Sequence, residues 1–380
     1  MRDSSLYIGL MSGTSADSID AVLVELSSDQ PQLLATHTVD LTADSLADQE
    51  QLKAEIHALA TPGNNEIHRM NQLDRTLGQL FAQAANNLLA QTQFNATDIA
   101  AIGSHGQTIR HYPSARDTEL AYTVQVGDPN TIAQLTGIST VADFRRRDMA
   151  LGGQGAPLVP TFHQAAFEKP GFSRAIVNIG GMANITLLPG DDSPLVGYDT
   201  GSGNGLMDKW IKQHQKLDYD DRGQWASQGT VINSLLESLL STPYLAQPAP
   251  KSTGPELFNR AWLNQHLAKL PGASPVDVQA TLMEFTAQTI SQALKAHTPA
   301  PSEVFFCGGG AYNTALIQRL EALLHPKLIA STTELGIPPE WVEAVAFAWL
   351  AKQTIEGKPG NAPSVTGAMQ SAVLGAIYQR

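Results

Sequence analysis

Apolar positions along this chain switch between a strand-like and a helix-like rhythm, and glycines mark the switches. Residues 6–10, 19–26 and 33–41 are short apolar or alternating runs, which predicts three successive strands. The rhythm then lengthens. Ile67, Met70, Leu73, Leu77, Leu80, Phe81, Ala84, Leu88 and Leu89 trace one stripe of a long amphipathic helix over 66–91. Strand-like runs return at 99–102, 122–126 and 139–142, and the second half starts again with runs at 174–179, 183–188 and 195–198. Ser274-Pro-Val-Asp277 reads as a capping box that opens a helix to about residue 297, and 303–307 is an apolar strand. Asn313 caps a helix over 314–324, and Pro338-Pro339 opens a last helix that Gly357 closes. Each half begins strand, glycine turn, strand, strand and then adds helices, which predicts an α/β protein of two like halves. The expected limits are 1–150 with about 358–380 for the first domain and 151–357 for the second.

Composition narrows the class. At 380 residues the chain is long enough for two domains, and 42% apolar with 16% charged residues suits a folded enzyme. A formal net charge of −12 argues against nucleic acid as a partner, because phosphate backbones are held by clustered Lys and Arg. The single cysteine, Cys307, excludes an intrachain disulfide and suits a reducing cytoplasm. No apolar run approaches the ~20 residues of a membrane span, and the run before Ser12 is too short for a secretory signal.

The glycine breaks carry the candidate chemistry. In Tyr7-Ile-Gly-Leu-Met-Ser-Gly-Thr-Ser-Ala-Asp-Ser-Ile-Asp20, residues Ser12, Gly13, Thr14 and Ser15 crowd N–H and O–H donors into one bend, and Gly13 admits a phosphate close to the backbone. Asp17 and Asp20 follow, and each can help hold a cation over that phosphate. The Gly-x4-Gly-Lys-Ser/Thr spacing is absent, so the element reads as a phosphate-cradling hairpin and not a P-loop. Asn178-Ile-Gly-Gly-Met-Ala-Asn184 supplies a second such hairpin, with Asn178, Gly180 and Gly181 at its break. Gly308, Gly309 and Gly310 stand between a strand and a helix and leave room for a flat base or a ribose. Asp199, in Tyr198-Asp-Thr-Gly-Ser-Gly-Asn204, sits at a strand end where α/β folds carry reactive side chains, and reads as a general base.

Ser104-His-Gly-Gln-Thr-Ile-Arg-His111 lacks the i, i+4 histidine spacing of a metal pair. His105 and Gln107 read as neutral hydrogen-bonding groups for a polyol or amide ligand, with a satisfied structural histidine the alternative. Asp128 precedes a helix start and is either an N-cap or a ligand contact. Asp143-Phe-Arg-Arg-Arg-Asp148 gathers three arginines in an acidic chain, which points to a carboxylate or phosphate on the ligand. Gly152-Gly-Gln-Gly-Ala-Pro157 beside it reads as a hinge or lid.

These motifs, in this order, resemble the anhydro-N-acetylmuramic acid kinase family. The matching residues are Gly9-Leu-Met-Ser-Gly-Thr-Ser-x-Asp17, Ser104-His-Gly-Gln-Thr108, Ala142-Asp-Phe-Arg145, Gly152-Gly-Gln-Gly-Ala-Pro157, Asn178-Ile-Gly-Gly181, Asp199-Thr-Gly201 and Trp341-Val-Glu-Ala344. The resemblance covers nearly the whole chain and implies a two-domain actin-like ATPase (ribonuclease H-like) fold with a nucleotide cleft between the domains. It also implies ATP and Mg²⁺ as cofactors, and a reaction of peptidoglycan recycling. In that reaction ATP phosphorylates O6 of 1,6-anhydro-N-acetylmuramic acid while water opens the bridge at C1, giving N-acetylmuramic acid 6-phosphate. By the same resemblance Gly13, Thr14, Ser15, Ala16, Asp17, Ser18, Ile19 and Asp20 line the ATP phosphates, and Asp199 is the base. Glu343 and an arginine of the 145–147 cluster, Arg145 or Arg147, fall where the family contacts the sugar, and the lactyl carboxylate suits the arginine. His105, Gln107 and Asp128 complete the candidate sugar contacts. The metal ligands stay unassigned and the oligomeric state open, a homodimer included. Ser18 stands where the family usually has glycine, and Ser202 where it has proline. A plain sugar-hydroxyl kinase of the same fold, or a non-catalytic actin-like nucleotide-binding protein, is the alternative.

Overall fold

In the computed structural model, which describes residues 4–13, 16–28, 30–41, 49–60, 63, 66–113, 120–254, 256–297, 300–325 and 328–380, the apolar runs form the middles of two sheets. Leu6–Met11 (β1), Ser18–Glu25 (β2) and Gln32–Asp40 (β3) make an antiparallel meander. β1 is buried along its length, as a central strand must be, while β3 at the edge alternates in exposure. Ile99–Ser104 (β4) pairs parallel to β1, and Gln107–Tyr112 (β5) with Tyr122–Val126 (β6) forms a separate hairpin. Thr140–Ala142 (β7) pairs parallel to β4. In the second half Arg174–Ile179 (β8), Met182–Leu188 (β9) and Val196–Ser202 (β10) form another antiparallel meander, and Glu303–Cys307 (β11) with Leu328–Ser331 (β12) extends it in parallel. Ala376–Tyr378 (β13) borders the first sheet.

The two sheets run β13-β7-β4-β1-β2-β3 and β10-β9-β8-β11-β12. Without β13 they share one order, three antiparallel strands followed by two parallel ones, which is the ribonuclease H-like arrangement. The repeated layout read from the sequence is thus present as topology. The compact units are Met1–Ala166 with Trp341–Arg380, and Phe167–Glu340, where the sequence reading sets limits at 150 and 358. The later of the two differences comes from helix Val342–Ile355, which lies on β1 and β4 of the first unit. Gly9 and Gly103 are register partners on those strands, and a Cβ on either would stand 1.9 or 2.0 Å from a carbonyl oxygen of that helix. Only glycine allows the helix so near the sheet.

Each unit has its own core. Helix Ile67–Ala90 seats Leu73, Leu77, Phe81, Ala84 and Leu88 against Ile8, Leu10, Ile19 and Leu23 in the first. Ile67 of the predicted stripe is 70% exposed, because it opens the helix before the helix reaches the sheet. In the second unit helix Pro275–Lys295 carries Val278, Leu282, Phe285 and Ile290 into the core with Val177, Ile185 and Phe306. The capping box expected at its start does not form. Ser274 makes no side-chain cap bond, and the Asp277 carboxylate instead accepts the Thr230 N–H at 2.7 Å. Elements absent from the sequence reading include β5, β12, β13 and helices Gln49–Leu59, Phe144–Ala150, Val159–Phe167, Gly205–Gln215, Asn233–Leu240 and Arg260–Leu267. No described helix is long and apolar enough to cross a membrane.

Candidate active site

The bend between β1 and β2 is fixed from beneath by side chains. Buried Ser12 has its Oγ 2.8 Å from both the Ser18 carbonyl and Gln107 Oε1, and Gln107 Nε2 donates to the Gly13 carbonyl at 3.1 Å. The Gly13 carbonyl also accepts the Ala16 N–H at 3.1 Å, with Ala16 buried at a φ of +53°. Gln107, read as a sugar contact, is therefore engaged in holding the β1–β2 bend. Asp17 pairs with Lys53, and Asp20 Oδ1 accepts from Thr38 Oγ1 at 3.0 Å and from Ser18 Oγ at 3.4 Å. Ser18 is the first residue of β2 and Ile19 is buried behind it; Ser18 keeps a negative φ, so serine fits where glycine is usual. Thr14 and Ser15 lie outside the described residues. Among the described residues no three His, Cys, Asp or Glu side chains gather into a metal site.

A second cluster in the first unit forms around His105. Arg145 Nε and Nη2 donate to His105 Nε2 at 3.2 and 2.8 Å, while Nη1 donates to the Gly155 carbonyl at 2.7 Å. Burial, and then the Arg145 charge, hold His105 well below the usual imidazole range, so it is neutral. Accepting from arginine through Nε2 assigns its proton to Nδ1. The ring of Phe347 lies 4.7 Å from that of His105. Glu343, half-buried in the first turn of the same helix, is four residues before Phe347 and so shares its face. Arg147 is exposed, and Arg146 is exposed and pairs with Asp143 at 3.4 Å. Asp128 is taken up as an N-cap, accepting from Asn130 N at 3.0 Å and Thr131 N at 3.2 Å. Burial raises its pKa, but the hydrogen bonds from Thr131 and Asn130 outweigh that and leave it below the ordinary carboxylate value.

Asp148 was not singled out by its sequence, yet it organises this region. Fully buried, it accepts from Gly155 N at 2.8 Å, Asn361 Nδ2 at 2.7 Å and Thr366 Oγ1 at 2.7 Å. With the Gln154 N–H donating to the Thr366 carbonyl at 2.8 Å, the glycine loop read as a hinge or lid is tied down at several points.

In the second unit three backbone turns converge. Gly180 and Gly181 link β8 to β9, and their carbonyls accept from the N–H groups of Gly203, Asn204 and Gly205 at 2.7–3.1 Å. Gly308 and Gly310 close against this hairpin: a Cβ on Gly308 would stand 2.4 Å from Asn178 Oδ1, and one on Gly310 2.3 Å from the Ile179 side chain. Of the three glycines only Gly309 faces open space, with Asn204 Nδ2 its nearest neighbour at 3.9 Å. The triple glycine thus serves packing at two positions and access at one.

Asp199 lies within β10, which extends past the predicted end at Tyr198. The ladder to β9 slips between Asp199 and Gly201, and such a bulge re-aims the side chains beside it. Asp199 Oδ2 accepts the Thr253 N–H at 2.9 Å, its carbonyl accepts the Tyr244 hydroxyl at 2.7 Å, and its N–H donates to the Lys251 carbonyl at 3.4 Å. Ser202, in the usual place of proline, is buried at the end of β10, and its carbonyl accepts from Thr286 Oγ1 at 3.1 Å. Tyr244, Lys251 and Thr253 went unsingled in the sequence; the four prolines between 243 and 255 mark only a loop.

A family model described as anhydro-N-acetylmuramic acid kinase matches residues 5–380. A protein named anhydro-N-acetylmuramic acid kinase from Shewanella pealeana is 50% identical over 377 residues, 99% of each chain. One of the same name from Shewanella sp. strain MR-4 is 51% identical over 376 residues, again 99% of each. Among solved structures, component A of the Acidaminococcus fermentans (R)-2-hydroxyglutaryl-CoA dehydratase superposes with a TM-score of 0.47 at 12% identity, over 91% of this chain and 96% of that one.

Proposed function

The chain belongs to the anhydro-N-acetylmuramic acid kinase family, and we propose that it converts 1,6-anhydro-N-acetylmuramic acid, ATP and water into N-acetylmuramic acid 6-phosphate and ADP, as a cytoplasmic step of cell-wall recycling. The full-length family match carries this reading. Asp199 takes a proton from water, and the resulting hydroxide attacks C1. The C1–O6 bond breaks, and O6 receives the γ-phosphoryl group as ADP leaves. An inverting glycosidase adds a carboxylic acid to protonate its leaving oxygen; here the phosphoryl group takes that oxygen, so one carboxylate suffices.

In the first unit Arg145, half-buried and presented next to neutral His105, binds the lactyl carboxylate, and Glu343 on the Phe347 face of its helix binds the sugar. The hairpin of Gly13 to Asp20 offers backbone N–H groups to ATP phosphates. Asp17 and Asp20 each carry a carboxylate beside the hairpin and would help hold a magnesium ion there. When bound, the ion neutralises charge on the phosphates.

Turnover in H₂¹⁸O, followed by mass spectrometry, is expected to give a product labelled at the C1 hydroxyl. Label in phosphate instead would overturn the reading. Asp199→Asn is expected to lose about 10²–10⁴-fold in kcat while still binding ATP.

A further inference from the structure

β10 is an edge strand: it pairs with β9 on one side, and the sheet order ends there. Asp199 keeps Asn184 as its register partner on β9, while its other side faces the sheet margin, beside a bulge that breaks the ladder just after it. A segment further along the chain adds bonds on that side. Tyr244, Lys251 and Thr253 between them engage the Asp199 carbonyl, N–H and Oδ2. The segment is itself anchored. The Tyr244 ring is buried in the core and packs edge-on to Phe258 at 6.0 Å. Lys251 Nζ folds back to donate to the carbonyls of Tyr244 at 3.3 Å and Leu245 at 3.0 Å, over the Tyr244 ring at 4.9 Å and the Tyr198 ring at 5.4 Å. That lysine closes the segment into a loop whose two ends both meet Asp199.

We propose that residues 244–253 form the positioning element of Asp199, with Tyr244 and Lys251 as positioning residues that act on the reaction only through that carboxylate. The inference rests on Asp199 being the general base. The Tyr244 hydroxyl fixes the main chain at the bulge, the Thr253 N–H selects one carboxylate rotamer, and Lys251 keeps the two donors at a fixed separation. A base misplaced by about an ångström can lose about 10²-fold in rate without any change in how substrates bind.

Steady-state kinetics of the full-length enzyme test this. Tyr244→Phe, which deletes only the hydroxyl, is expected to lower kcat at least tenfold with KM for ATP and for the anhydro sugar changed less than twofold. Lys251→Met is expected to do the same, with Lys251→Arg recovering most of the loss. In an Asp199→Asn background, Tyr244→Phe is expected to change the residual turnover less than twofold, because its effect passes through the missing base. An unchanged kcat in both Tyr244→Phe and Lys251→Met, a loss confined to KM or to thermal stability, or a full further loss on top of Asp199→Asn would overturn the positioning role. A fully active Asp199→Asn would instead overturn the assignment of the base, so the two failures are distinguishable.

Discussion

Arg145 and Arg147 stand two residues apart on one short helix, yet only the first turns inward. Arg145 is oriented by His105 and the Gly155 carbonyl, while Arg147 is exposed. Arg145→Ala is therefore expected to raise KM for the anhydro sugar about 10–100-fold, the worth of a charged hydrogen-bonded contact. Arg147→Ala is expected to stay within twofold; initial-rate measurements at saturating ATP decide. Buried histidines make a second prediction at this scale. Burial, and for His111 also the Arg145 charge, lowers His111 to about 4, and burial lowers His163 to about 3. In the unfolded chain both protonate near pH 6.5, so between about pH 6.5 and 4 the unfolded state binds the extra protons and stability falls as pH falls. Each histidine contributes up to about 1.4 kcal/mol per pH unit in that window. Urea unfolding at pH 7.0, 5.5 and 4.5 should show that slope, and His163→Gln should flatten it.

At the scale of elements, the fold depends on how near a helix comes to a sheet. Helix Val342–Ile355 buries Val342, Ala344, Val345, Ala346, Phe347 and Ala348, and its carbonyls approach β1 and β4 only because Gly9 and Gly103 have no side chain. Gly103→Ala would set a methyl group 2.0 Å from the Phe347 carbonyl oxygen, so helix and sheet must separate. Overpacking of this kind costs about 1–3 kcal/mol. Because Phe347 carries the ring that supports His105, the same shift should also raise KM for the sugar. Gly137→Ala is the contrast: nothing lies within 4 Å of the new Cβ, and only its φ of +67° is strained. Chemical denaturation should therefore find Gly103→Ala the more destabilised of the two, and only that variant changed in KM.

For the molecule as a whole, what could be read from the sequence follows the span of the interactions. Strands β1, β8 and β11 are marked by their own apolar runs, and helix Thr314–Leu324 with its Asn313 cap rests on neighbours a few residues away, so local pattern shows them. The turns between β1 and β2 and between β8 and β9 also show locally, since glycine and hydroxyl residues crowd a short stretch. The partners that hold Asp199 lie 45 and 54 residues further on, in a segment whose pattern shows only prolines. The Asn361 and Thr366 partners of Asp148 lie 213 and 218 residues away. No local rhythm carries such pairings. The same span explains why the first unit is built from both ends of the chain, so that Trp341–Arg380 completes a sheet begun at Leu6. The second unit, Phe167–Glu340, is continuous and has its own core, from Val177 on β8 to Leu320. A fragment of residues 167–340 is thus expected to fold alone and unfold in a single cooperative transition in urea. A chain ending at Glu340 should keep that transition and lose the other, because β1 and β4 then expose the face that helix Val342–Ile355 covers. Two native-like transitions in the shortened chain, or none in the fragment, would show that the units do not fold by these boundaries.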